Sequence, residues 1–588
     1  MPNLIHQTTI ASTYGSSSTT YNGRGSSDVS MPMLKKQSAI SSQQSAISKE
    51  SELKRLPLLL TTERFFRKKK PSRLRRRFPR VGLRDNATLL LASMLIMSTA
   101  FGAPEVPLNF DGWVAEALAK LETDGITGGF HRHTAPLSRA DVAVAIRHAE
   151  SRIRRGVVAP SAIDRKLLEK LKREFAKELT IQDGRRMRFL PQLRATEAQA
   201  APAFEWGLHY TLGKLEKREA PRLTLYSEFE GHNFESPPLD GTTAGQRLER
   251  WRGDYTGDFK RGYLQVNSAH LDLLVGRDWL FWGASPYKSV GISDNSPPFD
   301  QVRLTSRLGK RLKATAFTAQ LDSTWYDDGE KRYLAKRYIS GHRLDYQFND
   351  RLEIGVAEWV LYGGDAQTLE WKYANPITLY YALQYNAKAD DNVMFAFDAA
   401  IRPIDGVRLY GEWVIDDIQY VPGANDPHAV AWLLGATWYP QHLGRHLGIH
   451  SEYARVNRWA YTHLVPDNQF THFGYAIGHP ISTDSDTVRL SATYQLTVSS
   501  EAEIRAVLTR QGEGRIADRF YGEDFRTLPF PTGVVARTTE IGSRFSYRPL
   551  SGWNASFLYV WHYTQNAEHH KGATHQAHRL AIQIGYLW

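Results

Sequence analysis

The sequence of 588 residues predicts a mainly β protein, a large antiparallel transmembrane β-barrel of about eighteen strands with a small N-terminal helical periplasmic region. Three observations support this prediction. Residues 204–588 alternate between apolar and polar side chains, the final segment ends on an aromatic residue, and the composition is rich in aromatic residues but holds no long apolar run. Together they favour strands that face lipid on one side and water on the other.

The last eleven residues, 578–588, alternate between apolar or aromatic side chains and polar or small ones. Leu580, Ile582, Ile584, Tyr586 and Trp588 share one face, because successive side chains of a strand point to opposite sides. A tilted strand of this length spans the hydrocarbon layer. A strand that ends on an aromatic residue resembles the assembly signal of bacterial outer-membrane barrels, which implies the barrel assembly machinery and outer-membrane lipid as partners. The closing strand of a soluble β-sandwich is the alternative.

Four further segments repeat this alternation, at 392–401, 407–416, 487–496 and 501–510. In the second, Leu409 and Trp413 lie opposite Arg408 and Glu412. A soluble sandwich also alternates, but many such strands without a second apolar face favour a barrel with a wet lumen.

Composition narrows the class of protein further. Aromatic residues make up 12% of the chain, which suits the two aromatic girdles of a membrane barrel. The mean hydropathy of −0.44, and the absence of any run of eighteen apolar residues, argue against a membrane protein built from helices. Because the chain has no cysteine, it cannot form disulfides, cysteine-ligated metal sites or a thiol nucleophile.

The net charge of +12 is confined to the start of the chain. Residues 1–102 hold 17 of the 74 Lys and Arg and 5 of the 62 Asp and Glu, so the rest holds 57 of each. Nucleic acid is therefore not predicted as a partner.

The first 103 residues are predicted to form a leader that precedes the mature protein. Residues 1–80 are polar and then basic, and are predicted to be disordered, unless the true start lies downstream. Residues 81–103 combine a basic flank, an apolar stretch at 87–97 and the small residues Ala100 and Gly102, which predicts a signal peptide and export.

Residues 104–195 are predicted to be helical and periplasmic. Ser138-Arg-Ala-Asp141 and Ser161-Ala-Ile-Asp164 have the capping-box pattern, and each precedes an apolar stripe of helical period. Residues 106–150 resemble a single S-layer homology module, with Ser138–Asp141 in place of that family's Thr-Arg-Ala-Glu. The resemblance implies binding to cell-wall glycan, and a small helical cap beside the barrel mouth is the alternative.

One stretch carries a more specific resemblance. Val275–Pro286 reads as a strand ending in Gly-Arg followed by a Trp-Gly turn, and Gly291–Phe299 contains Ser-Asp-Asn-Ser-Pro-Pro-Phe. Together with Asn375-Pro376 and Tyr410–Asp417, these segments resemble the capsule assembly (Wzi) family over about residues 204–588. The resemblance implies an eighteen-stranded outer-membrane barrel that acts in attachment or assembly of capsular polysaccharide or exopolysaccharide.

The loop between these strands is the candidate polysaccharide site. Trp282 could stack on a pyranose face, while Asp294 and Asn295 could hydrogen-bond hydroxyl groups. The alternative is a structural turn with its aromatic side chains at the membrane interface. As a connecting loop, it is expected to tolerate substitution better than the strands it joins.

No catalytic constellation stands out, so the protein is predicted not to be an enzyme and to need no cofactor. His569, His570, His575 and His578 are close enough in sequence to suggest a metal site, but a solvated loop is favoured and no metal is predicted. An outer-membrane porin or solute channel is the main alternative function. An outer-membrane enzyme acting on lipid or glycan is the third.

Overall fold

The computed structural model describes residues 112–587 except 181–185, 197–199, 213–221, 234–254, 269, 310, 328–331, 388, 419–427 and 520–527. The predicted leader, the signal peptide and Trp588 lie outside the described residues. No helix in the described ranges is both long and apolar enough to cross a membrane.

Four helices precede the sheet: α1 (Trp113–Thr123), α2 (Arg139–Arg154), α3 (Ala162–Glu174) and α4 (Ala176–Thr180). Both predicted capping boxes are present, because Ser138 and Ser161 each accept from the backbone N–H three residues on. Lys120 of α1 contacts Asp124 at 2.5 Å and Asp164 of α3 at 2.6 Å, which ties the helices together. Burial raises the pKa of Asp124 to about 6, although the Lys120 ammonium opposes the shift.

The predicted end of the helical region at residue 195 is wrong. The helices end at Thr180, and Arg186–Thr196 is a strand that pairs with Ala200–Leu212. Pro191 near the middle of this segment is unfavourable in a helix interior, so the sheet begins eighteen residues before residue 204.

The strands are antiparallel. In chain order they are β1 (Thr134–Ala135), β2 (Arg186–Thr196), β3 (Ala200–Leu212), β4 (Arg222–Asn233), β5 (Tyr255–Asn267), β6 (Leu271–Asp278), β7 (Phe281–Trp282), β8 (Phe299–Leu308), β9 (Leu312–Gln320), β10 (Thr324–Asp327), β11 (Arg332–Asn349), β12 (Leu352–Gly364), β13 (Asn392–Ile401), β14 (Val407–Asp417), β15 (Ala429–Trp438), β16 (Leu447–Val456), β17 (Thr471–His472), β18 (Tyr475–Ala476), β19 (Ser485–Thr497), β20 (Ser500–Gln511), β21 (Ala536–Tyr547), β22 (Gly552–Gln565) and β23 (Thr574–Leu587). Two short helices, α5 (Trp371–Ala374) and α6 (Tyr380–Ala387), lie between β12 and β13.

One sheet contains nineteen of the described strands. Since β10 pairs, within the described ranges, only with an extension of β11, eighteen of the described strands make up the barrel wall. The first of them, β2, pairs with β3 and also with the last, β23. The structure thus confirms the predicted fold class and the number of strands.

Connections at the two ends of the wall differ in length. At one end the turns are short, such as 350–351 and 498–499, whereas the connections 279–298 and 457–484 lie at the other end. Short turns face the periplasm in outer-membrane barrels. The helical region lies against this end, because Arg402 donates to the Glu122 carbonyl at 2.5 Å and Arg548 pairs with Glu116 at 2.9 Å.

The two faces of each strand follow the predicted alternation. On β14 the side chains of Arg408 and Glu412 are 3% and 6% exposed inside the wall, whereas Leu409 and Trp413 on the opposite face are 43% and 44% exposed. The exposed apolar side chains therefore form the outer surface, as a lipid-facing wall requires.

Candidate functional site: a filled lumen with a cationic cavity

Three segments of the chain enter the lumen. The segment that joins α1 to α2 contributes β1, whose Thr134 pairs with Trp282 of β7. The connection 279–298 enters from the long-loop end, and so does the connection 457–484. The buried apolar side chains of these two connections and those of the inner wall form one continuous core, which includes Trp282, Val290, Trp359, Phe470 and Ile477. The chain itself therefore fills part of the described lumen.

A carboxylate of the barrel wall anchors the loop 279–298. Glu412 accepts hydrogen bonds from the backbone N–H of Ser285 at 2.8 Å, the Ser289 hydroxyl at 2.8 Å and the Val290 N–H at 2.9 Å. The Ser285 hydroxyl donates to Glu452 of β16 at 2.7 Å. The segments 275–299 and 410–417, which carry the sequence resemblance, thus meet in space at Glu412.

The second inserted loop contacts the first. The Tyr461 hydroxyl donates to the Val290 carbonyl at 2.5 Å, and the Ser293 N–H donates to the Ile477 carbonyl at 2.9 Å. Phe470 stacks on Trp359 of β12 with ring centroids 5.7 Å apart. The two loops therefore form one packed unit.

The segment from the helical region is fixed by buried ionic contacts. His133 lies 2.7 Å from a carboxylate oxygen of Asp398, which also receives a hydrogen bond from Arg343 at 2.6 Å. Burial lowers the pKa of His133, but the Glu353 and Asp398 carboxylates outweigh it and raise the pKa overall. Since a buried charge is stable only when it is paired, this network holds the segment in place.

A cavity of about 780 Å³ remains beside this packed unit. The helical region and the loop 279–298 each form part of its lining. The rest of the lining comes from the inner faces of β4 and β5, of β14 to β16, and of β19 to β23. Small-molecule sites in proteins commonly occupy about 300–1,000 Å³. The cavity is therefore large enough for a ligand of a few sugar units.

Aromatic rings and guanidinium groups are paired on the cavity wall. Trp279 and Tyr287 of the loop are half-buried and line the cavity. The Arg261 guanidinium lies 5.2 Å from the centre of the Trp279 ring, and the Arg489 guanidinium lies 4.2 Å from that of Tyr287. A cation within about 6 Å of a ring centre is attracted to the ring face, so each pair holds an aromatic ring and a positive charge together on the cavity wall.

The part of the cavity wall formed by β19 to β21 carries a cluster of arginine residues around Glu503. Arg489 and Arg544 each lie 3.0 Å from its carboxylate. Arg505 lies on the same inner face and lines the cavity, but no carboxylate of the described residues lies within ion-pair distance of it. Among the described lining residues, eleven are Lys or Arg and six are Asp or Glu. The surplus of positive charge favours anionic ligands.

The structure gives the three predicted polysaccharide residues different positions. Trp282 is 2% exposed, and its ring packs edge-on against Phe317 with centroids 5.2 Å apart, so it offers no face to a sugar. Asp294 lines the cavity and pairs with Lys288 at 3.0 Å. Asn295 donates to the Ala476 carbonyl at 2.9 Å. Binding of polysaccharide by these residues stays a prediction, and for Trp282 burial favours a packing role.

The expectation that loop 279–298 tolerates substitution does not fit its surroundings. Most of its residues are buried in the lumen. Its aromatic side chains therefore do not lie at the membrane interface, which was the alternative prediction. A run of Trp, Pro and Gly residues can form either an exposed turn or a loop that folds into the lumen. The hydrogen bonds to Glu412 show that this loop folds into the lumen.

The structure also shows the positions of Tyr586 and of the motif that resembles an S-layer module. Tyr586 lies on β23, where it pairs with Trp553, whereas its proposed partner, the assembly machinery, stays a prediction. In the motif that resembles an S-layer module, Arg139 is 4% exposed and pairs with Glu178 at 2.5 Å. Glycan binding through residues 106–150 also stays a prediction, and this arginine already has an internal partner.

The histidine cluster does not form a metal-binding arrangement in the described part of the chain, where no group of three or more potential ligands meets. His569 lies in a short helical turn and His578 on β23, where it contacts the Tyr559 hydroxyl at 2.9 Å.

The wall and its inserted segments define a class of protein: an outer-membrane β-barrel whose lumen is partly occupied by its own chain. The model of the family "Capsule assembly protein Wzi" matches residues 170–578, and the chain belongs to this family. No curated protein sequence matches the chain.

Among solved structures, the chain is similar to Wzi of Escherichia coli, an outer-membrane protein involved in group 1 capsule assembly and reported to be a carbohydrate-binding β-barrel. The TM-score is 0.55 at 14% identity, and the match covers 83% of this chain and all of that one. Matches to OccAB4 of Acinetobacter baumannii and OprD of Pseudomonas aeruginosa have TM-scores of 0.41 and 0.38, both at 10% identity. Each covers 68% of this chain, and 96% and 91% of those chains respectively.

Proposed function

We propose that this protein binds an acidic capsular polysaccharide or exopolysaccharide in the lumen cavity and thereby helps to attach or assemble it at the cell surface. The observation that carries the proposal is the cavity wall, in which the half-buried rings of Trp279 and Tyr287 stand among a surplus of arginine and lysine side chains.

The chemistry of an acidic glycan fits this wall. A guanidinium group binds a carboxylate through two parallel hydrogen bonds, so uronic acid units would pair with Arg505 and its neighbours. An aromatic ring offers a flat apolar surface to the C–H face of a pyranose. Asp294 and Lys288 at the loop end of the cavity are suited to bind sugar hydroxyl groups.

The filled lumen supports a binding role over free diffusion. A general porin needs a water-filled channel, whereas here the loops 279–298 and 457–484 pack a buried apolar core across the described lumen. Planar bilayers with the purified protein are expected to show no steady conductance. Sustained conductance, together with loss of solute uptake in a deletion strain that keeps its polysaccharide, would favour the channel function.

Binding can be tested with polygalacturonate as the acidic probe and dextran as the neutral one. The detergent-solubilised protein should bind polygalacturonate and not dextran. Arg505→Gln should weaken binding by about tenfold or more, because a hydrogen bond to a charged group contributes about 1.5–3 kcal/mol. Its lack of an ion pair means that the substitution leaves no buried carboxylate unpaired.

Arg537→Gln is the matched control, since Arg537 is an exposed arginine on β21 that does not line the cavity. Equal affinity for dextran, or unchanged binding in Arg505→Gln, would contradict the cavity assignment. The polysaccharide should keep its chain length after incubation, as expected for a binding protein, and shortened products would instead indicate an enzyme.

A further inference from the structure

The described residues of the connection between β12 and β13, 365–387 and 389–391, do not extend away from the barrel, and we call them the strap. It carries α5 and α6, and α6 packs against β12 and β13. Tyr373 and Tyr380 of the strap form a buried cluster with Val360 and Tyr362 of β12 and with Val393 of β13. The strap therefore covers part of the barrel wall.

The covered surface is the outer one. On β12, Val356 has the same side-chain direction as Val360 and is 42% exposed, whereas Trp359 points the other way and contacts Trp282 in the lumen. Phe397 on β13 shares the direction of Val393 and is 40% exposed. Residues two apart along a strand share a face, so the strap lies outside the lumen.

A carboxylate of the wall fixes the strap in this position. Glu358 accepts hydrogen bonds from the N–H groups of Tyr380 at 3.0 Å and Tyr381 at 2.8 Å, and it lies 3.1 Å from His342. The two N–H groups are at the start of α6, where a helix has unpaired donors and favours a negative charge. The Tyr373 hydroxyl also donates to Asp391.

The free surface of the strap is apolar and aromatic. Five large side chains are 46% to 88% exposed, namely Trp371, Ile377, Leu379, Tyr381 and Tyr385. Residues 373–387 contain no Lys, Arg, Asp, Glu or His. Such a surface is unfavourable in water, and tyrosine and tryptophan are the residues that concentrate at membrane interfaces.

We propose that the strap inserts this surface into the outer leaflet of the outer membrane, with lipid acyl chains as its partner. The surface continues the lipid-facing side chains of the neighbouring strands, among them Val356, Phe397 and Trp413. Glu358 lies six residues from Leu352 at the periplasmic end, which places it about 15 Å up a tilted strand and inside an apolar band about 25 Å tall.

This position gives the strap a definite role. Without it, Glu358 and His342 would face acyl chains, and an uncovered charge in hydrocarbon is strongly unfavourable. The strap replaces them at the lipid surface by Leu379, Tyr381 and Tyr385. It acts as an anchor at the outer membrane interface, independently of any ligand in the cavity.

The absence of native cysteine allows a direct test. A bimane label is attached to Leu379→Cys, and the protein is reconstituted in phosphatidylcholine vesicles with or without brominated acyl chains. The positive control is Ile504→Cys, which is 66% exposed on the outer face of β20. The aqueous control is Lys571→Cys, an exposed position in the turn between β22 and β23.

Brominated lipid should quench the label at Leu379→Cys as strongly as that at Ile504→Cys, and iodide in the buffer should quench only the label at Lys571→Cys. Quenching of Leu379→Cys by iodide alone would place the strap in water and overturn the proposal. Pyrene excimer emission from Leu379→Cys that persists on dilution with lipid would assign the surface to a second copy of the chain, and would also overturn it. Neither outcome affects binding of polygalacturonate, so the cavity proposal is tested separately.

Discussion

Replacing Trp282 by alanine should open the lumen without dismantling the barrel. The side chain is 2% exposed and packs against Phe317, Trp359 and the backbone of Gly341 at the centre of the inner core. Removal of a buried tryptophan costs about 3–5 kcal/mol. The eighteen strands keep their backbone hydrogen bonds, so the loss should appear as local opening of the loop 279–298.

A single cysteine at a buried loop position measures this opening. Val290 is 0% exposed, and Val290→Cys should be protected from a water-soluble maleimide in the parent protein. In the Trp282→Ala background, labelling through the open state should be faster by about two to three orders of magnitude, since each 1.4 kcal/mol changes an opening equilibrium tenfold. Heat-dependent gel migration should stay that of a folded barrel.

Two control variants test whether faster labelling comes from opening of the loop 279–298. Lys571→Cys is exposed and should react at one rate in both backgrounds. Trp325→Ala removes a tryptophan that is 66% exposed and should leave Val290→Cys protected. If Val290→Cys remains protected in Trp282→Ala, then Trp282 does not hold the loop, and the packing role assigned to it is refuted.

Three further predictions concern the helical region and the last strand. Because the pKa of Asp124 is raised to about 6 from 3.8, the folded state holds its proton more tightly, and stability should fall as pH rises from about 4 to 6. Asp124→Asn should remove this fall from the thermal melting of the helices followed by circular dichroism, and an unchanged pH profile would contradict it. Ser161→Ala should destabilise α3 by about 1 kcal/mol through loss of its cap, whereas Ser161→Asp, which can also cap, should lose less in the same melting experiment. Deleting Tyr586–Trp588 shortens the strand that pairs with both β2 and β22, so the chain should lose its heat-modifiable gel migration, and a variant that keeps it would refute an essential role for these residues.

The barrel could be predicted from sequence because its signal is local. On β14 every second side chain is apolar, and this pattern alone determines which face of the strand meets lipid. The capping boxes at Ser138 and Ser161 are equally local. The boundary near residue 195 failed because Arg186–Thr196 becomes a strand by pairing with β3, a partner that a local pattern does not reveal.

The site depends on contacts that no local pattern encodes. Glu412 lies on a strand that alternates like its neighbours, and nothing in the sequence distinguishes it from other inward-facing carboxylates as the anchor of a loop 123 residues away. That anchor binds the same loop that carries the buried Trp282 and the cavity-lining Trp279. The surplus of positive charge on the cavity wall could not be predicted either. Residues 103–588 carry equal numbers of basic and acidic side chains, and only the fold brings more of the basic ones to the cavity.

The docking of the helical region ties the start of the chain to its end. Glu116 reaches Arg544 across 428 residues, and Lys170 donates to the Arg548 carbonyl across 378. Contacts between such distant residues form late, because the entropy of closing so long a loop opposes them until the intervening chain is ordered. The helices α1 to α4 are synthesised before every strand of the barrel wall, yet their binding surface is complete only when the last hairpins are in place. A barrel that stalled before β21 would therefore lack the Arg544 and Arg548 side of this docking surface, while the contact of Arg402 with Glu122 could still form.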